Sequence, residues 1–345
     1  MSGVNTEVLR TQSKSEFDLA VERAAELLRL DEVVAVPTET VYGLAANALS
    51  SAAVGKIYQT KGRPATNPLI VHVASWAMVE QCCARWDSEA NQIARTFWPG
   101  PLTIVVPKSE RVPDEVTAGG ETVALRWPSH PIMQALIQAA GFPVAAPSAN
   151  RSNALSPTQA RHVLSQLDGK IPLIIDGGHS AVGIESTVID LVHRPARILR
   201  PGMIHLGNLQ AACESLELSQ SQPLEARPGD AAQRSPGQLK VHYSPRAQLK
   251  VLAWEDAADL QRQFGQMNLS GDSTSVIAFR NIPDSDDFLR VSVIPDDAEA
   301  YARALFSELH VCDEEGSQYI LVEAPPDGPE WNGVWDRLKR AAAAD

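Results

Sequence analysis

The stretch Lys61-Gly62-Arg63-Pro64-Ala65-Thr66-Asn67-Pro68-Leu69-Ile70-Val71-His72 sets two cations around a glycine, then two prolines, then an apolar run ending in histidine. A lysine is a point charge and an arginine a planar fork, so the pair suits several phosphate oxygens at once. The prolines hold such a loop open before a ligand arrives, which lowers the ordering cost of binding. Other polar loops fall at predicted strand ends. PTETVYGL carries Thr38, Glu39 and Thr40; AAPSANRSNALSPT carries Ser148, Asn150, Ser152, Asn153 and Ser156; DGGHSAVGIESTVID carries Ser186 and Thr187. Arg200 closes the strand in ILRPG, an arrangement that Arg126 repeats in ALRWP. Backbone N–H groups beside a helix start favour an anion. An inventory of cations and hydroxyls suits electrostatic work on phosphate better than acid–base hydrolysis. It does not by itself name a reaction.

Several common chemistries have no signature here. The sequence contains no G-x-x-x-x-G-K-[ST], no G-x-G-x-x-G, no H-E-x-x-H and no G-x-S-x-G. Its four cysteines, Cys82 and Cys83 adjacent and Cys213 and Cys312 alone, lack the two-residue spacing of zinc or redox sites and read as small buried hydrophobes. The metal ligands, if any, are not legible. At 345 residues the chain is long enough for two domains. The net charge of -12 is uneven, -1 over residues 1–204 and -11 over the remainder. An acidic second half repels nucleic-acid backbones, which argues against strong general nucleic-acid binding. No apolar run approaches the roughly 20 residues that span a bilayer. The N-terminal MSGVNTEVLRTQSKSEFD lacks the apolar core of a secretory signal. The expectation is a cytoplasmic protein without membrane contact.

The elements that position these loops follow from periodicity. EFDLAVERAAELLRL (16–30) predicts an amphipathic helix, EVVAV a strand, and SSAAVGKIYQTKG (50–62) a helix closed by Gly62. PLIVHV, PLTIVVP and TVALRWP predict strands, HPIMQALIQAAG a helix, and FPVAAPSAN a strand breaking into a loop. SPTQARHVLSQL (156–167) predicts a helix with Ser156 as N-cap and Pro157 at its first position. PLIIDGG, STVIDLV and ARILRPG are again β-like. Strands apolar throughout imply a sheet covered on both faces. Residues 219–247, rich in Ser, Gln, Pro and Gly, read as a linker. A β-α-β rhythm follows: QLKVLAW, a helix near 255–266, STSVIAF, a helix near 297–311, SQYILVEA and a last helix from about Glu330. It predicts a small parallel sheet with helices on its faces.

Taken in order, PTETVYGL, K-x-R-P-x-x-N-P-L-I-V-H, WPGPLT (98–103), VALRWP, APSAN, the 156–157 Ser-Pro pair, DGG with ESTV, and LRPG closely resemble the YrdC-like threonylcarbamoyl-AMP synthases. The resemblance is dense over about 15–205, and SPGQLKVHYSPR (235–246) is similar to the linker of the family's two-domain form. Gln238-Leu239 depart from that linker's usual pattern. The resemblance implies an α/β fold: a YrdC-like twisted mixed sheet with helices over 1–205, a linker or lid over 206–247, and a smaller Rossmann-like α/β domain over 248–345. It implies synthesis of threonylcarbamoyl-AMP from L-threonine, bicarbonate or CO2, and ATP, with pyrophosphate released. Mg2+ would accompany ATP, with no tightly bound organic cofactor. A separate transferase would then carry the threonylcarbamoyl group to adenosine in transfer RNA.

By the same resemblance Lys61 and Arg63 serve the triphosphate, with Asn67 as neighbour. Ser148, Asn150, Ser156 and Arg200 hold the rest of the nucleotide. Thr38, His72, Arg126 and Ser186 surround threonine and the carbamate, and Thr117 serves either ligand. His179 is a weaker candidate beside its two glycines. Apart from the resemblance, the segment with His242 and Tyr243 is expected to fold back over the nucleotide as a lid, excluding water from a labile mixed anhydride. Two rival readings remain open: a non-catalytic RNA-binding module, opposed by the charge balance, and a carbamoyl-transfer domain like that of hydrogenase maturation enzymes, whose zinc-finger cysteines and acylphosphatase-like stretch this sequence lacks.

Overall fold

A computed structural model describes residues 4–219 and 243–343; the 236–237 Pro-Gly pair, Gln238-Leu239 and His242 lie outside them. Ten strands build the first sheet: β1 (Glu7–Arg10), β2 (Val34–Val36), β3 (Gly43–Asn47), β4 (Ile70–His72), β5 (Leu102–Pro107), β6 (Thr122–Arg126), β7 (Val144–Ala145), β8 (Leu173–Asp176), β9 (Thr187–Asp190) and β10 (Arg197–Arg200). Their order is β1-β8-β2-β3-β7-β4-β6-β5-β9-β10, with parallel and antiparallel pairs mixed. Four more, β11 (Gln248–Leu252), β12 (Thr274–Ala278), β13 (Arg290–Val293) and β14 (Tyr319–Glu323), form a wholly parallel sheet in the order β11-β14-β12-β13. The fold is α/β, with a mixed sheet and a smaller Rossmann-like unit, as the sequence predicts. The short strands β1 and β13 are additions; neither carries a periodic apolar signal.

The apolar strands are explained by burial from both sides. Along β2, Ala35 packs with Ile57, Val79 and Ile93 on one face, while Val34 and Val36 pack with Ala24, Leu28 and Ile137 on the other. Successive side chains on a strand point to opposite faces, so a sheet with helices on both needs apolar residues at every position. The helix Lys14–Arg29 starts in a capping box between Ser13 and Glu16. The helix Ser51–Lys61 ends as predicted at Gly62, whose φ of 62° and ψ of 35° are left-handed. This stop delivers Lys61 and Arg63 to the site.

The Ser156 expectation is corrected. That helix runs Ala160–Leu167 with Gln159 at its N-cap, and Ser156 donates instead to Glu185, well before the first turn. A carboxylate contributed by a distant loop outcompetes the local cap. Likewise the VTAG turn is the end of a short helix, Asp114–Thr117, with Ala118 left-handed.

The two sheets' units share one apolar core, which takes Val41, Leu155 and Ile184 from the first and Tyr301, Phe306, Val334 and Leu338 from the second. Backbone meets backbone there. At Gly183, with φ of 86°, a Cβ would fall 2.5 Å from the Ala302 carbonyl oxygen. Gly183→Ala should therefore cost about 2–3 kcal/mol, through both overpacking and left-handed strain. Gly119→Ala, with φ of 78° and open space around it, carries only the conformational term of about 1 kcal/mol. Urea unfolding of both variants checks this; equal losses would deny the close contact.

Candidate active site

The strand ends converge on a cavity of about 40 Å³. Thr38, Thr40, Arg63, His72, Arg126, Ser148, Glu185, Arg200 and Tyr243 line it. Register explains part of this. In the parallel β4–β6 pair, His72 is opposite Arg126, so two strand-terminal side chains face the same opening. His72 is buried, and its Nδ1 has no hydrogen-bond partner among the described residues. Burial, and then the Arg126 charge, push its imidazole down to about 3.

Arg126 is the most heavily engaged of the arginines that line the cavity. Its Nη1 donates to Thr40 Oγ1 at 2.8 Å, its Nε to the Gly100 carbonyl at 3.3 Å, and its Nη2 forms an ion pair with Glu39 Oε1 at 2.8 Å. Burial raises the Glu39 pKa, but the Arg126 charge, the direct contact with Arg126 and nearby backbone groups together hold the carboxyl below its ordinary value. Thr38 Oγ1 donates to the Val41 carbonyl at 2.6 Å and lies 2.9 Å from Thr40 Oγ1, folding PTET back on itself.

Arg63 donates through Nε to the Asn67 carbonyl at 3.2 Å and through Nη2 to the Pro68 carbonyl at 3.0 Å. Its charge is thus satisfied by neutral oxygens, and burial brings its pKa down to about 10. Arg200 is held the same way, by the Ser186 carbonyl at 3.0 Å and Ser186 Oγ at 3.1 Å. Lys61 does not line the cavity. Its Nζ donates to the Ser148 carbonyl at 2.6 Å, the Asn150 carbonyl at 2.5 Å and Asn150 Oδ1 at 3.2 Å, pinning APSAN from beneath. Burial, and then Arg63, set its pKa well below the ordinary lysine value.

The remaining predicted residues divide in the same manner. Ser148 and Tyr243 line the cavity; Asn150, Ser156 and Ser186 stand behind it, bonded to Ala154, Glu185 and Thr103 respectively. Asn67 and Thr117 are buried off the cavity wall, and both polar atoms of the Asn67 side chain lack a partner among the described residues. His179 contacts Ser180 and Ser307, away from the cavity. Tyr243 is fully buried, with φ of 65°, its ring 5.5 Å from that of Phe306.

Sequence reasoning missed Glu185, and named Glu39 and Thr40 in PTET without giving them a role. Both acids neighbour a predicted residue, and their only signal was an acid inside a motif otherwise rich in hydroxyls. Among the described residues no cluster of acids, histidines or cysteines forms a ready metal site. The arrangement presents several fixed cations, two threonine hydroxyls and a neutral imidazole to one small space, which equips it to hold and polarise anions. By its burial His72 should stay uncharged between about pH 5 and 8. Imidazole nitrogen shifts followed by NMR should show no His72 titration in that window; a midpoint near 6.5 would contradict the geometry.

Comparison with known proteins supplies the context. A family model described as telomere recombination matches residues 26–202, and one described as threonylcarbamoyl-AMP synthase, C-terminal domain, matches 204–343. The threonylcarbamoyl-AMP synthase of Pyrococcus abyssi is 40% identical over 324 residues, 92% of this chain and 93% of that one. The synthase of Bacillus subtilis is 38% identical over 339 residues, 96% and 95% of the two chains. A crystal structure of P. abyssi Sua5 complexed with L-threonine superposes with a TM-score of 0.85 at 37% identity, covering 98% of this chain and 97% of that one. With sequence similarity end to end and the same fold, the chain belongs to the threonylcarbamoyl-AMP synthase family.

Proposed function

We propose that the protein makes threonylcarbamoyl-AMP from L-threonine, bicarbonate or CO2, and ATP, releasing pyrophosphate and feeding the threonylcarbamoyladenosine modification of transfer RNA. The observation that carries the reading is the convergence of Arg63, Arg126, Arg200, His72, Thr38 and Ser148 on one cavity. The amine of threonine attacks CO2, loses a proton and becomes a carbamate. A carbamate oxygen then attacks the α-phosphorus of ATP, and the bond from that phosphorus to the pyrophosphate oxygen breaks. Neither step needs a covalent enzyme intermediate; both need alignment and charge stabilisation.

The roles follow the placement of each group. Arg63 and Arg200 face the phosphates, with Ser148 beside them and Lys61, Asn67, Asn150 and Ser156 supporting that wall. Arg126 takes the threonine carboxylate, since it is a planar fork already desolvated. Thr38 and neutral His72 contact the amine and carbamate, Ser186 acts through Arg200, and Thr117, buried off the cavity wall, serves either ligand only indirectly. Both carboxylates near the cavity, Glu39 and Glu185, are paired with arginines. Mg2+ would accompany ATP, held mainly by the triphosphate, and would supply charge neutralisation for the departing pyrophosphate. The product passes to a tRNA-modifying transferase, and the charge balance assigns this chain no strong grip on RNA of its own.

Tyr243 is fully buried at the cavity wall, where its ring would cover the bound nucleotide and exclude water from the mixed anhydride. The preceding lid residues, 220–242, lie outside the described residues.

Incubating the protein with ATP, bicarbonate and either threonine or serine tests the reaction. Mass spectrometry should find threonylcarbamoyl-AMP, and pyrophosphate release should depend on threonine. RNA binding without such release would favour the non-catalytic reading. For the lid, Tyr243→Ala should raise the ATP KM and shorten the lifetime of bound adenylate, each by roughly tenfold. Unchanged ATP affinity, turnover and adenylate lifetime would remove Tyr243 from the closure.

A further inference from the structure

Glu185 has the cavity on one side and the far end of the chain on the other. Arg337, in the helix Asn332–Ala342, is completely buried. Its Nε donates to Glu185 Oε2 at 3.0 Å and its Nη2 to the Glu185 carbonyl at 2.8 Å. Nη1 donates to the carbonyl of Pro201 and approaches Asp336 Oδ2 at 3.2 Å. The guanidinium also lies over the Tyr243 ring, 5.6 Å from its centroid. One side chain thus joins the ESTV loop, the LRPG loop and the aromatic ring that closes the cavity.

Close packing of the backbone specifies this reach. A Cβ at Gly333, one turn before Arg337, would lie 3.1 Å from the Gly202 Cα and 3.0 Å from Ile184 Cδ1. Gly202 is itself pressed on the strand after Glu185, where a Cβ would fall 2.6 Å from the Thr187 nitrogen. A second contact from the same unit, His310 Nε2 to the Ser156 carbonyl at 3.1 Å, steadies the residue whose hydroxyl donates to Glu185 Oε1. Removing a guanidinium and a carboxylate from water costs several kcal/mol per ion, and apolar packing would tether two units at least as well. What the ion pair supplies and packing would not is a directed fork: it fixes a carboxylate and two loop carbonyls at set distances. The loops it fixes carry Ser186 and Arg200.

We propose that Arg337 is a positioning residue of the adenylating centre: it holds the Glu185 carboxylate at the cavity wall and sets the spacing of the loops bearing Ser186 and Arg200. The second α/β unit thereby completes the catalytic site rather than merely decorating it. The proposal rests on the activity reading above, and its test keeps the two apart.

Arg337→Gln leaves the buried Glu185 carboxylate without the Arg337 charge, a change that endangers folding. Glu185→Gln/Arg337→Gln removes both charges and keeps amide groups able to hydrogen-bond, so this double variant is the decisive one. In both variants kcat should fall by about 100-fold, the scale expected for misplaced reacting groups, with KM for ATP and threonine within about threefold of wild type. Arg337→Lys, which keeps the charge and loses the fork, should recover about tenfold of that loss. A double variant that fails to fold, or that folds and keeps kcat within about threefold, overturns the proposal and leaves Arg337 a structural tether. So does a loss expressed only in KM. A wild-type chain without threonine-dependent pyrophosphate release overturns the activity reading itself, and the positioning role with it.

Discussion

The structure depends on keeping several positive charges out of water around one small space. Lys61, Arg63, Arg126, Arg200 and Arg337 are all nearly inaccessible, while Glu39 and Glu185 are the buried carboxylates facing them among the described residues. Burying like charges together is costly, and a protein normally pairs them off. Here Arg63 and Arg200 are satisfied by carbonyl and hydroxyl oxygens, which fill their hydrogen bonds without cancelling their charge. The remaining positive potential is complementary to a triphosphate and an amino-acid carboxylate. In that sense the site stores the electrostatic work that binding releases, in a low-dielectric space where it counts most.

The fold exists to hold these cations apart against their repulsion. A sheet with both faces covered is stiff, and its strand ends are fixed to fractions of an ångström by ladder bonds and packing. His72 and Arg126 end neighbouring parallel strands, and Arg200 ends the strand at the sheet's far edge. Lys61 spends its three protons on APSAN, converting a charge into a clamp on the loop that carries Ser148. Its depressed pKa is the electrostatic cost of that position, arising first from burial and then from Arg63.

What the sequence made legible is what local chemistry encodes. Gly62 as a helix stop, the twice-covered strands and the convergence of polar loops at strand ends all follow from residues within a few positions of one another. The parallel pairing of β4 with β6 was not encoded locally, yet placing both motifs at strand ends sufficed to bring His72 and Arg126 into one site. Ser156 shows the limit. A serine before a proline and a helical pattern is a sound N-cap signal, and it was overruled by a carboxylate from a loop 29 positions away. Arg337 was beyond reach altogether: its partner is 152 positions distant, and GVWDRLKRAAAAD reads only as the tail of the last helix. Long-range ion pairs leave no periodic or compositional trace, so the acid of ESTV was passed over in favour of its serine.

The position of Tyr243 ties charge to closure. A non-glycine residue at φ of 65° pays roughly 1–2 kcal/mol in backbone strain. The ring is held in spite of this by burial against Phe306 and by the Arg337 guanidinium over its face. Contact and strain therefore oppose each other at an aromatic residue of the cavity wall. Because the opposing contacts come from the helices Ala298–Glu314 and Asn332–Ala342, the balance is set by the second unit. The same guanidinium grips Glu185 on the cavity wall, so the ring and the carboxylate share a single anchor.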